Sequence, residues 1–134
     1  MPRAFLDTNI LVYAFVEDPR AAVAEALLAQ KYETSVQALN EFANVARRKL
    51  RMTWQEVEEA LTLLKTLCGT IHPVTLKTHD DALRLAQRYG FSLYDALIVA
   101  AALRANCDTL YSEDMQDGLV VEAQVTIRNP YKSA

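Results

Sequence analysis

Hydrophobic positions fall into two patterns along this chain. Short apolar runs, such as Phe5-Leu6 and Val125-Thr126-Ile127, are typical of strands buried inside a sheet. Longer stretches carry apolar residues three or four positions apart, which predicts helices with one buried face. The two kinds of segment follow one another along the chain, and this order favours an α/β fold.

The pattern predicts five strands and six helices. The strands are expected near residues 5–7, 34–36, 71–74, 109–111 and 125–127. The helices are expected near residues 10–16, 21–30, 37–50, 54–68, 80–89 and 93–106. We therefore expect one domain over residues 1–134, a three-layer α/β/α sandwich with a mostly parallel central sheet. Ligands of such sheets bind beyond the carboxyl ends of the strands.

Local signals mark some of these boundaries. Thr53 to Glu56 has the form of a capping box, so a helix is expected to begin at Trp54. Gly69 is suited to end that helix. Pro73 has no N–H to donate, which places the third strand at an edge of the sheet or at a strand end.

Composition narrows the class of protein. A chain of 134 residues with 51% hydrophobic residues can bury one core. It has no apolar run of the roughly 20 residues that a membrane helix needs, and its start does not resemble a signal peptide, so we expect a cytoplasmic protein. Cys68 and Cys107 do not form a CxxC pair and are interpreted as small core residues.

Four acids are candidates for a functional site, and two of them fall just after strands, where an α/β fold opens its cleft. Asp7 and Asp114 follow strands, Asp95 lies in a first helical turn, and Glu41 lies beside the apolar stripe of a helix. Each has a structural alternative. Asp7 could cap a helix, Asp95 could complete a capping box with Ser92, Glu41 could be a solvated helix residue and Asp114 a loop acid. Their convergence on one edge is the functional hypothesis.

The motifs around these acids resemble a known family. They are Asp7-Thr8-Asn9, Asn40-Glu41-Phe42, Ser92 with Tyr94-Asp95-Ala96, and Ser112-Glu113-Asp114. In this order and over the full chain they resemble PIN domains, and among these most of all the VapC toxins of toxin–antitoxin pairs. The resemblance implies an endoribonuclease that depends on Mg²⁺ or Mn²⁺, with an RNA substrate, a VapB-like antitoxin partner and a homodimeric state.

The resemblance also implies roles for individual residues. Asp7, Glu41, Asp95 and Asp114 would be the catalytic and metal-binding acids. Thr8, Asn9 and Ser112 would be supporting polar residues, and Asp117 is a candidate for an additional metal ligand. The turn after Asp114 departs from the commoner form, which has an aromatic residue after the last acid.

Physical chemistry supports the same assignment. Clustered carboxylates raise one another's pKa unless a cation neutralises them. A set of oxygen ligands without His or Cys selects hard ions such as Mg²⁺ and Mn²⁺ over zinc. The only histidines, His72 and His79, lie away from the acids in sequence and are interpreted as surface or packing residues.

Because the chain is acidic, binding of a nucleic acid would depend on such cations. Its net charge is −3, whereas proteins that bind nucleic acid through the backbone alone are usually basic. One basic run interrupts the acidic chain, formed by Arg47, Arg48, Lys49 and Arg51. It is either a solvated helix end or a patch that contacts RNA or the antitoxin.

Two other functions fit the sequence less well. A PIN-like scaffold without activity, acting as a binding module, would not need all four acids. An aspartate-based α/β phosphatase usually carries a second Asp two residues after the first, where this chain has Asn9.

Overall fold

The computed structural model describes residues 3–132, which contain six strands and six helices. The strands are β1 (Ala4–Leu6), β2 (Tyr32–Ser35), β3 (Thr70–His72), β4 (Thr109–Tyr111), β5 (Val120–Val121) and β6 (Val125–Arg128). The helices are α1 (Thr8–Tyr13), α2 (Ala21–Ala29), α3 (Val36–Arg48), α4 (Trp54–Leu67), α5 (Leu76–Tyr89) and α6 (Leu93–Arg104). The predicted domain of residues 1–134 extends two residues beyond the described ones at each end.

One sheet joins all six strands in the order β3-β2-β1-β4-β6-β5. The pairs β1–β2, β1–β4, β2–β3 and β4–β6 are parallel, and only β5 runs antiparallel to its neighbour β6. Helices flank this sheet, so the predicted α/β class with a mostly parallel sheet is confirmed. The carboxyl ends of β1 and β4 lie side by side, which brings the residues after these strands together.

Among residues 3–132, α6 has more buried residues than any other helix. Seven consecutive residues from Ala96 to Ala102 are buried, so this helix is covered on all sides. It packs against α5 and contacts β2 and β4, where Leu110 is fully buried. The first turn of α6, which contains Asp95, is therefore fixed relative to the central strands.

Some predicted features agree with the structure and others differ, such as α1, which begins two residues and ends three residues before its predicted bounds. The capping box at Thr53 forms as expected. Helix α5 begins at Leu76, four residues before its predicted start, because Thr75 is capped reciprocally by Thr78. Strand β5, of two residues, was not predicted. Gly69 does not cap α4, which ends at Leu67 with Cys68 as its C-cap in an extended conformation. A side chain at Gly69 would instead meet the carbonyl of Tyr32 at 3.2 Å.

An ion-pair cluster lies on the sheet around Glu33 of β2. Its carboxylate, 8% exposed, accepts hydrogen bonds from Arg3 and contacts Nε2 of His72 at 2.7 Å. Burial opposes ionisation here, but the bonds from His72 and Arg3 outweigh it and lower the pKa of Glu33. His72, interpreted from the sequence as a surface or packing residue, thus binds Glu33 outside the cleft of the acids. Cys107 is buried beside the same carboxylate and Cys68 is partly buried.

The helices in residues 3–132 are all too short or too polar to cross a membrane.

Candidate active site

A cleft with a volume of about 520 Å³ opens beyond the carboxyl ends of β1 and β4. All four acids singled out in the sequence line it, namely Asp7, Glu41, Asp95 and Asp114. They come from four different segments: the β1–α1 junction, α3, the first turn of α6 and the loop after β4. The expected convergence of these acids on one edge of the sheet is therefore observed.

Asp7 is the most constrained of the four acids. It is 4% exposed and is the N-cap of α1, where its Oδ1 accepts a hydrogen bond from the backbone N–H of Thr8 at 2.7 Å. Its Oδ2 accepts a second bond from the hydroxyl of Ser112, also at 2.7 Å. Asp7 thus both caps α1 and lines the cleft, and its two carboxylate oxygens have fixed directions.

Asn9 holds the segment that carries Asp114. Its Nδ2 donates to Oδ2 of Asp114 at 2.9 Å, while its Oδ1 accepts from the backbone N–H of Glu113 at 3.3 Å. A single amide side chain therefore fixes both the backbone and the carboxylate of this exposed loop relative to α1.

Glu41 and Asp95 are half-buried and less restrained. Oε2 of Glu41 accepts a hydrogen bond from Gln37 one turn earlier at 3.2 Å. Ser92 caps α6 by accepting from the backbone N–H of Asp95 at 3.2 Å. Within the described part of the chain, the reciprocal bond from the N–H of Ser92 to the Asp95 carboxylate is not formed, so the carboxylate remains directed to the cleft.

The four acids influence one another electrostatically. Burial, with smaller contributions from the charges of Asp95 and Glu41, raises the pKa of Asp7 to about 7 against the bonds from Ser112 and Thr8. Burial and the neighbouring carboxylates also raise the pKa of Glu41 and that of Asp95. The ionised cluster is unfavourable by itself, and a cation would relieve it.

The donor set suits a hard cation that keeps much of its water. Among residues 3–132, no three His, Cys, Asp or Glu side chains are arranged so that they could hold a metal ion directly. Mg²⁺ usually retains several waters and binds only one or two carboxylates directly, which this cleft provides. The hydroxyl Oγ1 of Thr8 is buried beside Asp7 without a hydrogen-bond partner, so it is a further oxygen available to such an ion or its waters.

Two other groups of candidate residues are placed differently. Asp117 does not line the cleft, because its Oδ1 accepts from the backbone N–H of Asn129 at 2.8 Å, and the structure therefore does not support it as a metal ligand. In the basic run, Arg47 lies over the ring of Trp54, Arg48 and Arg51 lie outside the cleft, and Lys49 lines the cleft.

A second polar cluster beside the acids was missed by sequence reasoning. The Glu113 carboxylate accepts from the hydroxyl of Tyr13 and, at 2.8 Å, from the guanidinium of Arg20, which also pairs with Asp18. The Arg20 guanidinium lies 4.4 Å from the centre of the Tyr13 ring. These contacts join the α1–α2 connection to the loop that carries Asp114. No sequence signal marks them, since Arg20 and Glu113 are 93 positions apart.

Comparisons with known proteins agree with this fold. The family model of the PIN domain matches residues 4–116. A toxin–antitoxin complex from Klebsiella pneumoniae is similar in structure, with a TM-score of 0.73 and 22% identity over 97% of this chain and 99% of that one. A comparison with curated protein sequences finds no match.

Two further solved structures are similar at the same level of identity. One is a sarcin-ricin-loop-cleaving VapC toxin of Mycobacterium tuberculosis, with a TM-score of 0.67 and 22% identity over 80% of this chain and 86% of that one. The other is a VapBC complex of Rickettsia felis bound to promoter DNA, with a TM-score of 0.60 and 22% identity over 83% and 87% of the two chains. At this identity the likeness shows a shared fold.

Proposed function

Because this chain belongs to the PIN domain family, we propose that it is a Mg²⁺- or Mn²⁺-dependent endoribonuclease and the toxin of a toxin–antitoxin pair. The observation that carries the proposal is the meeting of four carboxylates, drawn from four segments, in one cleft. A structural neighbour is described as a toxin that cleaves the sarcin-ricin loop, which supports RNA as the substrate class.

The residues of the cleft have separable tasks in this reaction. A bound Mg²⁺ would polarise the attacking water and stabilise charge on the leaving 3′-oxygen. Ser112 and the N–H of Thr8 keep the two oxygens of Asp7 in fixed directions, and Asn9 does the same for Asp114. Such preorganisation avoids rearrangement of the acids during the reaction.

We expect the purified protein to cleave a single-stranded RNA in Mg²⁺ or Mn²⁺ and to lose at least ~100-fold of this activity in EDTA. The reason is that a metal supplies several kcal/mol of transition-state stabilisation in phosphodiester hydrolysis. The measurement is a gel assay with and without EDTA, followed by restoration with excess Mg²⁺. Full cleavage in EDTA, combined with loss of activity in His72→Ala or His79→Ala, would contradict the proposal.

The partner hypothesis has separate support. Two structural neighbours are described as toxin–antitoxin complexes, one from Klebsiella pneumoniae and one from Rickettsia felis. Helices α2 and α4 also leave apolar side chains partly exposed, as expected for an interaction surface. They include Val23 (37%), Leu63 (49%) and Leu67 (42%). We therefore propose a VapB-like antitoxin partner and a homodimer.

Expression of this chain alone is expected to arrest bacterial growth, and the purified protein is expected to sediment as a dimer at tens of micromolar. Growth arrest follows from unrestrained RNA cleavage, so the inactive variant Asp95→Asn should not cause it. Analytical ultracentrifugation measures the dimer and growth curves measure the toxicity. Normal growth on expression of an active protein, together with a monomer at all concentrations, would count against this assignment.

Assays of the same cleft distinguish the two rival functions. An inactive scaffold should neither cleave RNA nor be stabilised by Mg²⁺. A phosphatase should hydrolyse p-nitrophenyl phosphate in Mg²⁺. Asn9 contacts Asp114 and Glu113 through both ends of its amide, so it acts here as a spacer between segments rather than as a second catalytic acid.

A further inference from the structure

The cleft carries a strong imbalance of charge that RNA must overcome. Of the described residues that line it, seven are acidic and one, Lys49, is basic. Arg20, which lies nearby, is bound to both Asp18 and Glu113. A metal ion would neutralise the acids near the scissile phosphate, but the flanking phosphates of the strand would still meet a largely acidic surface.

Lys49 is free to meet such a phosphate. It is the C-cap of α3, its backbone N–H donates to the carbonyl of Val45 at 2.8 Å, and its side chain is exposed. Within residues 3–132 its ammonium group forms no ion pair. Together with Leu50, it forms the part of the cleft wall that continues from the end of α3.

The turn that carries Lys49 is held in a fixed shape. The backbone N–H of Met52 donates to the carbonyl of Ala46 at 3.0 Å, which folds the turn back on α3. Nη1 of Arg47 donates to the carbonyl of Met52 at 2.8 Å, and its guanidinium lies 4.6 Å from the centre of the Trp54 ring. Arg47 is thus engaged in joining α3 to α4.

We infer that Lys49 binds a phosphate that flanks the scissile bond of the RNA substrate, and that Arg47 is a positioning residue that holds the turn. This inference rests on the proposed ribonuclease function and assigns different tasks to neighbouring cations of one basic run. A Lys ammonium suits this task as a point charge that does not require a fixed orientation of the phosphate.

The test compares Lys49→Ala with Lys77→Ala, which removes the same charge from an exposed position on α5. The probe is a fluorescein-labelled single-stranded RNA of a sequence that the wild type cleaves in Mg²⁺. Lys49→Ala is expected to raise KM about tenfold, with kcat within about twofold, since one charged contact is lost. The slope of log kcat/KM against log salt should become shallower by about 0.7 for one single-strand phosphate.

Further variants separate contact from positioning. Lys49→Arg should have a KM close to that of the wild type, because the charge is retained. Lys49→Ala should leave Tm unchanged. Arg47→Ala should lower Tm and raise KM together, since the turn loosens. The inference would be overturned if Lys49→Ala had the same KM and salt slope as Lys77→Ala. It would also be overturned if Arg48→Ala raised KM as much as Lys49→Ala, since this would indicate a diffuse basic patch. A wild type that does not cleave RNA would instead contradict the proposed function.

Discussion

Replacing Asp95 with Asn is expected to reduce RNA cleavage at least ~100-fold while leaving the metal-free protein as stable as the wild type or more stable. The carboxylate of Asp95 is half-buried, and burial with the charge of Asp114 raises its pKa. Removing the charge relieves this repulsion in EDTA. The cap of α6 should be retained, because Ser92 accepts from the backbone N–H of residue 95, which the substitution leaves in place.

Thermal melts of wild type and Asp95→Asn in EDTA and in Mg²⁺ measure this difference. Mg²⁺ should raise the Tm of the wild type, since it binds the native state only, and the rise should shrink in the variant. Asp80→Asn is a matched control, because Asp80 is an exposed acid on α5 outside the cleft. An equal loss of stability in both buffers, with cleavage retained, would leave Asp95 as a helix-end residue only.

In EDTA, the protein is expected to become less stable as the pH rises from about 5 to about 8. The pKa of Asp7 is raised mainly by burial, from 3.8 to about 7 in the folded protein. Between these values the native state holds a proton that the unfolded chain has released, so the free energy of unfolding falls with rising pH. The raised pKa values of Glu41 and Asp95 act in the same direction.

Urea unfolding in EDTA at several pH values tests this expectation. Asp7→Asn should flatten the decline, because Asn has no carboxyl group to titrate. Its side chain can still accept from the N–H of Thr8 and donate to Ser112, so the local structure should be retained. Mg²⁺ should stabilise the wild type more at the upper end of the range, since metals bind ionised carboxylates. Glu33 has a lowered pKa, so its contribution to the free energy of unfolding is lost only in more acidic solution. A free energy of unfolding that rises from pH 5 to pH 8 in EDTA would refute the argument.

The fold was predictable where the sequence carries a local signal. The capping box at Thr53 and the apolar strand around Leu110 both depend on residues close in sequence. Strand β5 has only two residues, too few for an alternating pattern to show. The early start of α5 was hidden because Thr78, rather than an acid, completes its capping box.

The site was predictable in its acids but not in its contacts. Asp7 and Asp114 could be found because each follows a strand, and strand ends meet at one edge. The pairing of Arg20 with Glu113 depends on tertiary structure alone. The bond that Asp117 accepts from the N–H of Asn129 likewise lies outside any local pattern.

The site residues are widely separated along the chain, so the acidic centre can form only late in folding. Ser112 bonds to Asp7 and Asn9 bonds to Asp114, and each contact joins residues 105 positions apart. Closing such long loops costs conformational entropy, so these contacts form slowly and after the local helices. In a chain synthesised from its N-terminus, Asp7 and Glu41 are present long before Asp114 and strand β6 exist. The growing polypeptide therefore cannot assemble the complete acidic centre while these later segments remain unmade.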